Sequence, residues 1–259
     1  MESLEDALDQ ATRAIARAQY VIALTGAGVS VESGIAPFRG PGGLWTKYGE
    51  PDMNGYQRFL ADPKAWWEAR LSGEDARGRP ELRGFDNAQP NPSHYALAEL
   101  EQMGVLRCLI TQNVDNLHYA AGSLRVAEIH GNRTKLRCIA CNGRFPREVF
   151  TLEILPPRCP ECNGIVKSDT VMFGEPIPVD VLETCQDEAS RADCIIVVGT
   201  SAVVYPAAHL PQMVRMRGGT LIEVNPLESD LTRQCDVVLR GPSGEVLPRL
   251  VERVKLLTD

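Results

Sequence analysis

Two Cys-x-x-Cys pairs, Cys138/Cys141 and Cys159/Cys162, have 17 residues between them in a chain of 259 residues. Each pair lets two thiolates meet one metal, and two such knuckles supply the four ligands of a tetrahedral zinc site. No fifth donor at ligand spacing suggests an open position, so the predicted site is closed and structural. Disulfides would use the same residues. However, Met1-Glu-Ser-Leu-Glu-Asp6 is acidic, with no apolar run, and is not expected to be a secretory leader. A knuckle with almost no apolar core takes its folding energy from the metal. Cys108, Cys185, Cys194 and Cys235 are scattered and read as small buried apolar residues.

A second chemistry gathers where apolar runs end. Tyr20–Leu24 leads into Thr25-Gly26-Ala27-Gly28-Val29-Ser30, where glycines let the backbone turn sharply and bring its N–H groups up to a pyrophosphate. Gly-x-Gly alone serves a plain tight turn equally well. Ser30 and Val31 stand where a dehydrogenase fingerprint would close on its third glycine, and no acidic residue ends a second strand about 20 residues on. Instead, Glu32 to Gly43 forms a long polar, glycine-rich stretch that reads as a mobile ligand cover.

Polar clusters end three more runs: Thr111-Gln112-Asn113-Val114-Asp115-Asn116, Gly199-Thr200-Ser201 and Asn225-Pro226. Each alone serves as a helix cap. Together, at one edge of one sheet, they point to a nucleotide. His130 follows Val126–Ile129 at the same edge, where an imidazole titrating near neutrality can take a proton from a ribose hydroxyl; a structural histidine fits equally well. His94 and His209 stand near helix starts, as caps or solvated side chains, and His118 packs in a turn. Glu74-Asp75 reads as a solvated face, and no carboxylate pair has hydrolase spacing.

These residues need elements to position them. Leu4, Leu8, Ala11, Ile15 and Ala18 recur at helical spacing. Short apolar runs at 20–24, 107–111, 126–129, 194–198, 220–224 and 237–239 alternate with helical patterns at 92–103, 179–190, 207–217 and 245–257. Near-continuous apolar strands alternating with helices predict an α/β fold, a doubly wound, mostly parallel Rossmann-like sheet. Two segments break the rhythm: 40–85, with two Trp-containing helical stretches and the charged run Gly73–Arg79, and 135–168, with the paired cysteines. They are expected to form a small inserted lobe, a helical module beside a zinc ribbon. The predicted nucleotide-binding domain then comprises 1–39, 86–134 and 169–259.

A net charge of −7, from 27 basic and 34 acidic residues, argues against phosphate-driven nucleic-acid binding while leaving basic peptides as partners. The most apolar stretch, Cys194–Pro211, is broken by Gly199, His209 and two prolines and falls short of the about 20 apolar residues of a bilayer span. A soluble, cytoplasmic monomer with no membrane partner is expected.

Gly26–Gly34, Pro37-Phe38-Arg39-Gly40, Thr111–Asp115, His130-Gly131, the four paired cysteines, Met172–Glu175, Gly199–Ser201 and Val204-Tyr205-Pro206 occur in this order along nearly the whole chain. The set resembles the sirtuin family, most of all its compact prokaryotic members. The resemblance implies an NAD-dependent protein-lysine deacylase that transfers the acyl group to ADP-ribose and releases nicotinamide, with NAD as co-substrate and one structural zinc. By that likeness Gly26, Ala27, Gly28, Ser30, Phe38 and Arg39 would line the NAD loop, with Gln112 near the ribose. Asn113 and Asp115 would sit at the nicotinamide, with His130 as general base acting through a ribose hydroxyl. Gly199, Thr200, Ser201 and Asn225 would hold the phosphates and adenosine ribose. An extended acyl-lysine peptide would pair between the strand Val171, Met172, Phe173, Gly174, Glu175 and the loop near Val203.

One branch of the family takes succinyl-type groups with a Tyr-x-x-Arg pair. Here Trp67 replaces the tyrosine, Glu68 would compete with Arg70, and Pro41 follows Phe38-Arg39-Gly40 where that branch tends to have alanine. Arg70 can pair with an acidic acyl tail, but an exposed helix arginine also fits, so neutral acyl groups, acetyl above all, are expected. An NAD-linked oxidoreductase, a protein ADP-ribosyltransferase and a non-catalytic NAD-sensing module are the competing readings.

Overall fold

The computed structural model describes residues 3–73 and 84–258. Most of the charged run and the Glu74-Asp75 pair lie outside the described residues. Helix α1 (Leu4–Arg17) starts at Ser3, whose side chain accepts from Asp6 N, and buries Leu8, Ala11 and Ile15. Strand β1 (Val21–Thr25) ends in a 3-10 turn over Ala27–Ser33. Short helices follow: α2 (Leu44–Tyr48), α3 (Gly55–Ala61), α4 (Pro63–Leu71) and α5 (Gly84–Asn87). The two Trp-containing stretches are α2 and α4; α3 and α5 are too short for periodicity to separate.

The chain then runs through α6 (Pro92–Gln102), β2 (Leu106–Thr111), α7 (Leu117–Ala120) and β3 (Val126–Glu128). A small antiparallel sheet of β4 (Lys135–Cys138), β5 (Arg144–Pro146) and β6 (Val166–Ser168) comes next. The last third comprises α8 (Val179–Arg191), β7 (Cys194–Val198), α9 (His209–Met216), β8 (Thr220–Val224), β9 (Val237–Leu239) and α10 (Ser243–Thr258).

The main sheet has the order β3-β2-β1-β7-β8-β9, and every pairing in it is parallel. Alternate side chains of one strand enter opposite cores, as a period of two requires. Val21 and Ala23 face α1, α6 and α10, whereas Ile22 and Leu24 face α8 and α9. With both faces covered, β1 and β7 are buried at every position, which is why they read as unbroken apolar runs. Each fully buried Leu, Ile or Val contributes about 1.5–3 kcal/mol. Strand order reverses between β1 and β7, and the carboxyl ends of those strands form the crevice where such sheets bind ligands.

The second sheet, β5-β4-β6, packs on the helical insertion. Asp62 caps α4 by accepting from Ala65 N, with Pro63 at the first helical position. From α4, Trp67 enters the core of Leu136 and Val166, and its indole N–H donates to Val166 O at 2.9 Å. Among the described residues no helix is long and apolar enough to cross a membrane.

Candidate functional site

At the carboxyl edge of the main sheet two turns press together. Gly26 N donates to Val198 O (3.0 Å) and Gly28 N to Gly199 O (2.8 Å). A Cβ on Gly28 would lie 2.6 Å from Gly199 Cα, so the two backbones touch only because both residues are glycine. This explains the departure from the dehydrogenase fingerprint: the close approach is made to the β7 turn, and a 3-10 turn rather than a long helix follows β1. Thr200 joins the neighbouring clusters. Its hydroxyl accepts from Gln112 Nε2 (3.0 Å) and Ala202 N (3.2 Å), and its carbonyl accepts from Asn225 Nδ2 (3.0 Å). Ser201 is half-buried beside it.

Beneath this edge Ser30 gathers three polar side chains. Its hydroxyl donates to Asp115 Oδ2 at 2.7 Å and accepts from Asn113 Nδ2 at 3.0 Å. His94 Nε2 lies 3.4 Å from the same oxygen. Because Asn91 N donates to His94 Nδ1 (3.2 Å), the neutral ring carries its proton on Nε2, toward Ser30. Asp115 Oδ1 also accepts from Leu117 N (2.9 Å). His94 caps α6 as expected, but it is fully buried rather than solvated, and its ring packs against that of His118, centroids 4.8 Å apart and planes tilted by 54°. His118 Nε2 in turn meets Thr25 Oγ1 at 3.0 Å. Burial holds His94 down at about 4, against the pull of Asp115, and holds His118 well below its ordinary value. Spacing gave little sign of His94 or His118 here: their packing depends on α6 and α7 crossing behind β1 and β2.

His130 lies just past β3, half-buried. Its Nδ1 is 3.1 Å from Gln112 O. A carbonyl only accepts, so Nδ1 carries the proton and Nε2 keeps a free lone pair. Burial lowers the pKa of His130, opposed by the Gln112 bond. The imidazole is therefore neutral at pH 7 and basic at one defined atom.

Phe38 and Arg39 belong to a hydrogen-bonded loop rather than an open chain: Leu44 N donates to Pro37 O and Trp45 N to Phe38 O, both at 2.8 Å. Trp45 packs against Phe38 (5.0 Å) and Phe173 (5.5 Å), and the Arg39 guanidinium lies 4.2 Å from its ring. Arg39 also pairs with Glu50 at 3.0 Å.

The segment Val171–Glu175 is not the strand expected from sequence. Gly174 has φ +78°, Glu175 N returns to Met172 O (3.0 Å), and Phe173 O accepts from Tyr56 N at the start of α3 (3.1 Å). The glycine and the docking of α3 turn the chain away from a straight ladder. Val171 N donates to His130 O (2.9 Å), which ties this loop to the histidine. Val203 lies half-buried in an irregular stretch. Trp67 points into the small lobe's core, so it does not stand in for the tyrosine of a Tyr-x-x-Arg pair, and Arg70 lies over Trp66 at 5.3 Å.

The four predicted cysteine ligands converge, with their sulfurs all within 4.8 Å of one another. The contacts Cys138–Cys162 (3.5 Å) and Cys141–Cys159 (3.7 Å) far exceed a disulfide bond and match sulfurs sharing one zinc at about 2.3 Å each. Gly164 allows the fit: a Cβ there would meet Cys138 Sγ at 2.8 Å. The donor set fits one structural zinc. Cys108, Cys185 and Cys194 are buried thiols, as expected, and burial pushes them up to about 12, whereas Cys235 is only half-buried.

Comparison with known proteins gives a consistent picture. The sequence profile of the Sir2 family matches residues 26–206. The chain is 46% identical over 254 residues to an NAD-dependent protein deacylase of Thermococcus kodakarensis, covering 96% of each chain. It is 47% identical over 245 residues to NAD-dependent protein deacylase 1 of Archaeoglobus fulgidus, covering 94% of this chain and 96% of that one. A Sir2 homologue solved in complex with NAD superposes with a TM-score of 0.79 at 47% identity, over 96% of this chain and 94% of the other. Sir2Af2 bound to a myristoylated histone peptide superposes with a TM-score of 0.69 at 36% identity, over 98% of both chains.

Proposed function

The chain belongs to the Sir2 family, and on that premise we propose that it is an NAD-dependent protein-lysine deacylase acting on acyl-lysine peptides, with deacetylation foremost. The observation that carries the reading is the tautomer of His130: the Gln112 carbonyl holds the proton on Nδ1 and leaves Nε2 as the base. NAD supplies a ribose carbon that becomes electrophilic as nicotinamide departs, so that the acyl oxygen can attack it.

The residues then divide the work. Gly26, Ala27, Gly28 and Ser30, with Gly199, Thr200, Ser201 and Asn225, form the cradle for the phosphates and the adenosine ribose, where backbone N–H groups can approach. Gln112, held by Thr200, faces the ribose. Asn113 and Asp115 form the nicotinamide pocket, oriented through Ser30. Phe38, with Arg39 beside it, covers the pocket and keeps water from the cationic ribose. His130 takes a proton from a ribose hydroxyl at Nε2. Val171, Phe173, Gly174, Glu175 and Val203 border the peptide, which brings its own strand between the two loops. The stacking of Arg70 on Trp66 supports neutral acyl groups over acidic ones.

We assign 1–39, 86–134 and 169–259 to the nucleotide-binding domain. The segments 40–85 and 135–168 make the small domain, supported by the Trp67 contact that joins them. The chain is taken to act as a monomer in the cytoplasm, without nucleic acid.

The experiment is nicotinamide release from NAD, with and without an acetyl-lysine peptide, in wild type and His130→Ala. Peptide-dependent release that falls at least about a hundredfold in the variant supports the reading. Release that ignores the peptide would mean glycohydrolase or ADP-ribosyl transfer, and NAD binding without release would mean a sensor.

A further inference from the structure

Arg137 on β4 and Lys167 on β6 are directly opposite one another in the antiparallel ladder of the ribbon. Like charges in that register repel, yet both side chains are buried, Arg137 to 4% and Lys167 to 0% exposure. The carboxylate of Glu175 resolves the conflict. One oxygen pairs with Arg137 and the other lies 3.0 Å from Lys167 Nζ. The same Lys167 ammonium donates to Ser168 O and Thr170 O at 2.8 Å each, so all three of its N–H groups are used. Burial pulls Lys167 down to about 8 against the opposing pull of Glu175, which leaves it charged at neutral pH.

Glu175 is the last residue of the loop that borders the peptide, and its Oε2 also accepts from Met172 N at 2.8 Å. A second carboxylate, Asp169, reaches the other wall of the site. Its Oδ1 lies 3.2 Å from Nε of both Arg137 and Arg144. Its Oδ2 accepts from Asn132 N (3.1 Å), two residues past His130. Gly131 between them has φ +75°, and a Cβ there would come within 2.1 Å of Asp169 O. The ribbon's buried cations thus grip both the turn that carries His130 and the loop that meets the peptide.

We propose that Lys167 and Arg137 are positioning residues for acyl-peptide binding: through Glu175 both set the conformation of Val171–Glu175, and through Asp169 Arg137 fixes that loop against the His130 turn. This rests on the deacylase reading of the same site. A buried ion network is weak evidence for stability, since apolar residues often replace one without loss, but it fixes geometry where both signs must meet. Among the described residues the loop pairs with no strand, and the ribbon supplies its register.

The test uses zinc-loaded full-length enzyme and the variants Lys167→Met, Lys167→Arg and the isosteric Glu175→Gln. Expected in Lys167→Met and Glu175→Gln is a rise of about tenfold or more in KM for the acetyl-lysine peptide. The KM for NAD and the bound zinc should hold within about threefold of wild type, and Lys167→Arg should recover most of the loss. An unchanged peptide KM in folded Glu175→Gln would overturn the proposal, even where Lys167→Met fails to fold. So would a uniform loss across both substrates with a lowered Tm, which would mean a purely structural network. Wild type that releases no nicotinamide when peptide is added would sink the deacylase reading itself and leave a different result on record from either of these.

Discussion

The Ser30 hydroxyl donates a 2.7 Å hydrogen bond to Asp115 Oδ2 across 85 residues of sequence. The first turn after β1 is thereby locked to the polar cluster after β2. Ser30 also accepts from Asn113, so one hydroxyl orients both side chains assigned to the nicotinamide pocket. Ser30→Ala removes both contacts without altering charge. A hydrogen bond to a charged group contributes about 1.5–3 kcal/mol, and a loss felt in the transition state lowers kcat about ten- to a hundredfold. Steady-state rates at saturating NAD and peptide check this, and an unchanged kcat would separate Asp115 from the chemistry.

The pH dependence follows from the same buried edge. His130 titrates below 6.5 because burial disfavours its charged form. The acid limb of kcat/KM is therefore expected to have its midpoint below pH 6.5, with the neutral base available at pH 7. Stability moves in the same direction. Burial holds His94 at about 4 and His118 well below its ordinary value, so as pH falls through 6.5 the unfolded chain binds more protons than the folded one. Stability is complete above pH 6.5 and declines as pH falls toward 4. Urea melts at pH 7.5, 6 and 5 check the sign; a midpoint that rises on acidification would contradict the buried neutral pair.

The strands of the main sheet and the zinc knuckles are legible in the sequence because each carries a local signal, whereas the short ribbon strands β4, β5 and β6 carry no apolar run of their own. β7, β8 and β9 fall where their apolar runs do, and the four cysteines meet at their spacing. Strand ends also placed Gly26, Gln112, Gly199 and Asn225 along one edge. What could not be read depended on tertiary context. Nothing near His94 says that it will face Ser30, and nothing near Trp67 says that it will enter the ribbon core rather than an acyl channel. Val171–Glu175 has the composition of a strand, but α3 docks onto Phe173 O and Gly174 turns the chain.

Gly28 carries a sharper test of the phosphate cradle. A methyl group there meets Gly199 Cα at 2.6 Å, backbone against backbone, so neither side can yield by a rotamer change. Gly28→Ala should part the β1 and β7 turns and raise the Kd for NAD about tenfold or more, with a smaller effect on the peptide. Calorimetric titration with NAD measures it. Unaltered NAD affinity would remove this turn from the cofactor site.

Zinc removal should act on the small lobe first. The sulfurs of Cys138, Cys141, Cys159 and Cys162 crowd one point, and in the absence of an ion deprotonated thiolates there would repel. A strong chelator is expected to strip one zinc per chain and to abolish peptide-dependent turnover. The main sheet has its own two cores and should keep most of its far-UV circular dichroism. Full activity after stoichiometric zinc loss would rule out a structural ion.

Trp67 links the helical insertion to that ribbon in two separable ways. Its ring is wholly buried among Leu136, Val166 and the inner cysteines, and its Nε1 donates to Val166 O at 2.9 Å. Trp67→Phe keeps most of the packing but leaves the buried carbonyl without its donor, a cost of about 1–3 kcal/mol. Trp67→Ala also opens a cavity, and large-to-small changes at buried aromatics cost about 3–5 kcal/mol. The lobe contains both the ribbon that fastens Glu175 and the helix α3 that docks on Phe173, so both variants should weaken peptide binding more than NAD binding, Ala beyond Phe. Thermal melts combined with separate KM values for the two substrates test the ordering. Equal losses for NAD and peptide would mean that the lobe supports the whole chain rather than the peptide wall of the site.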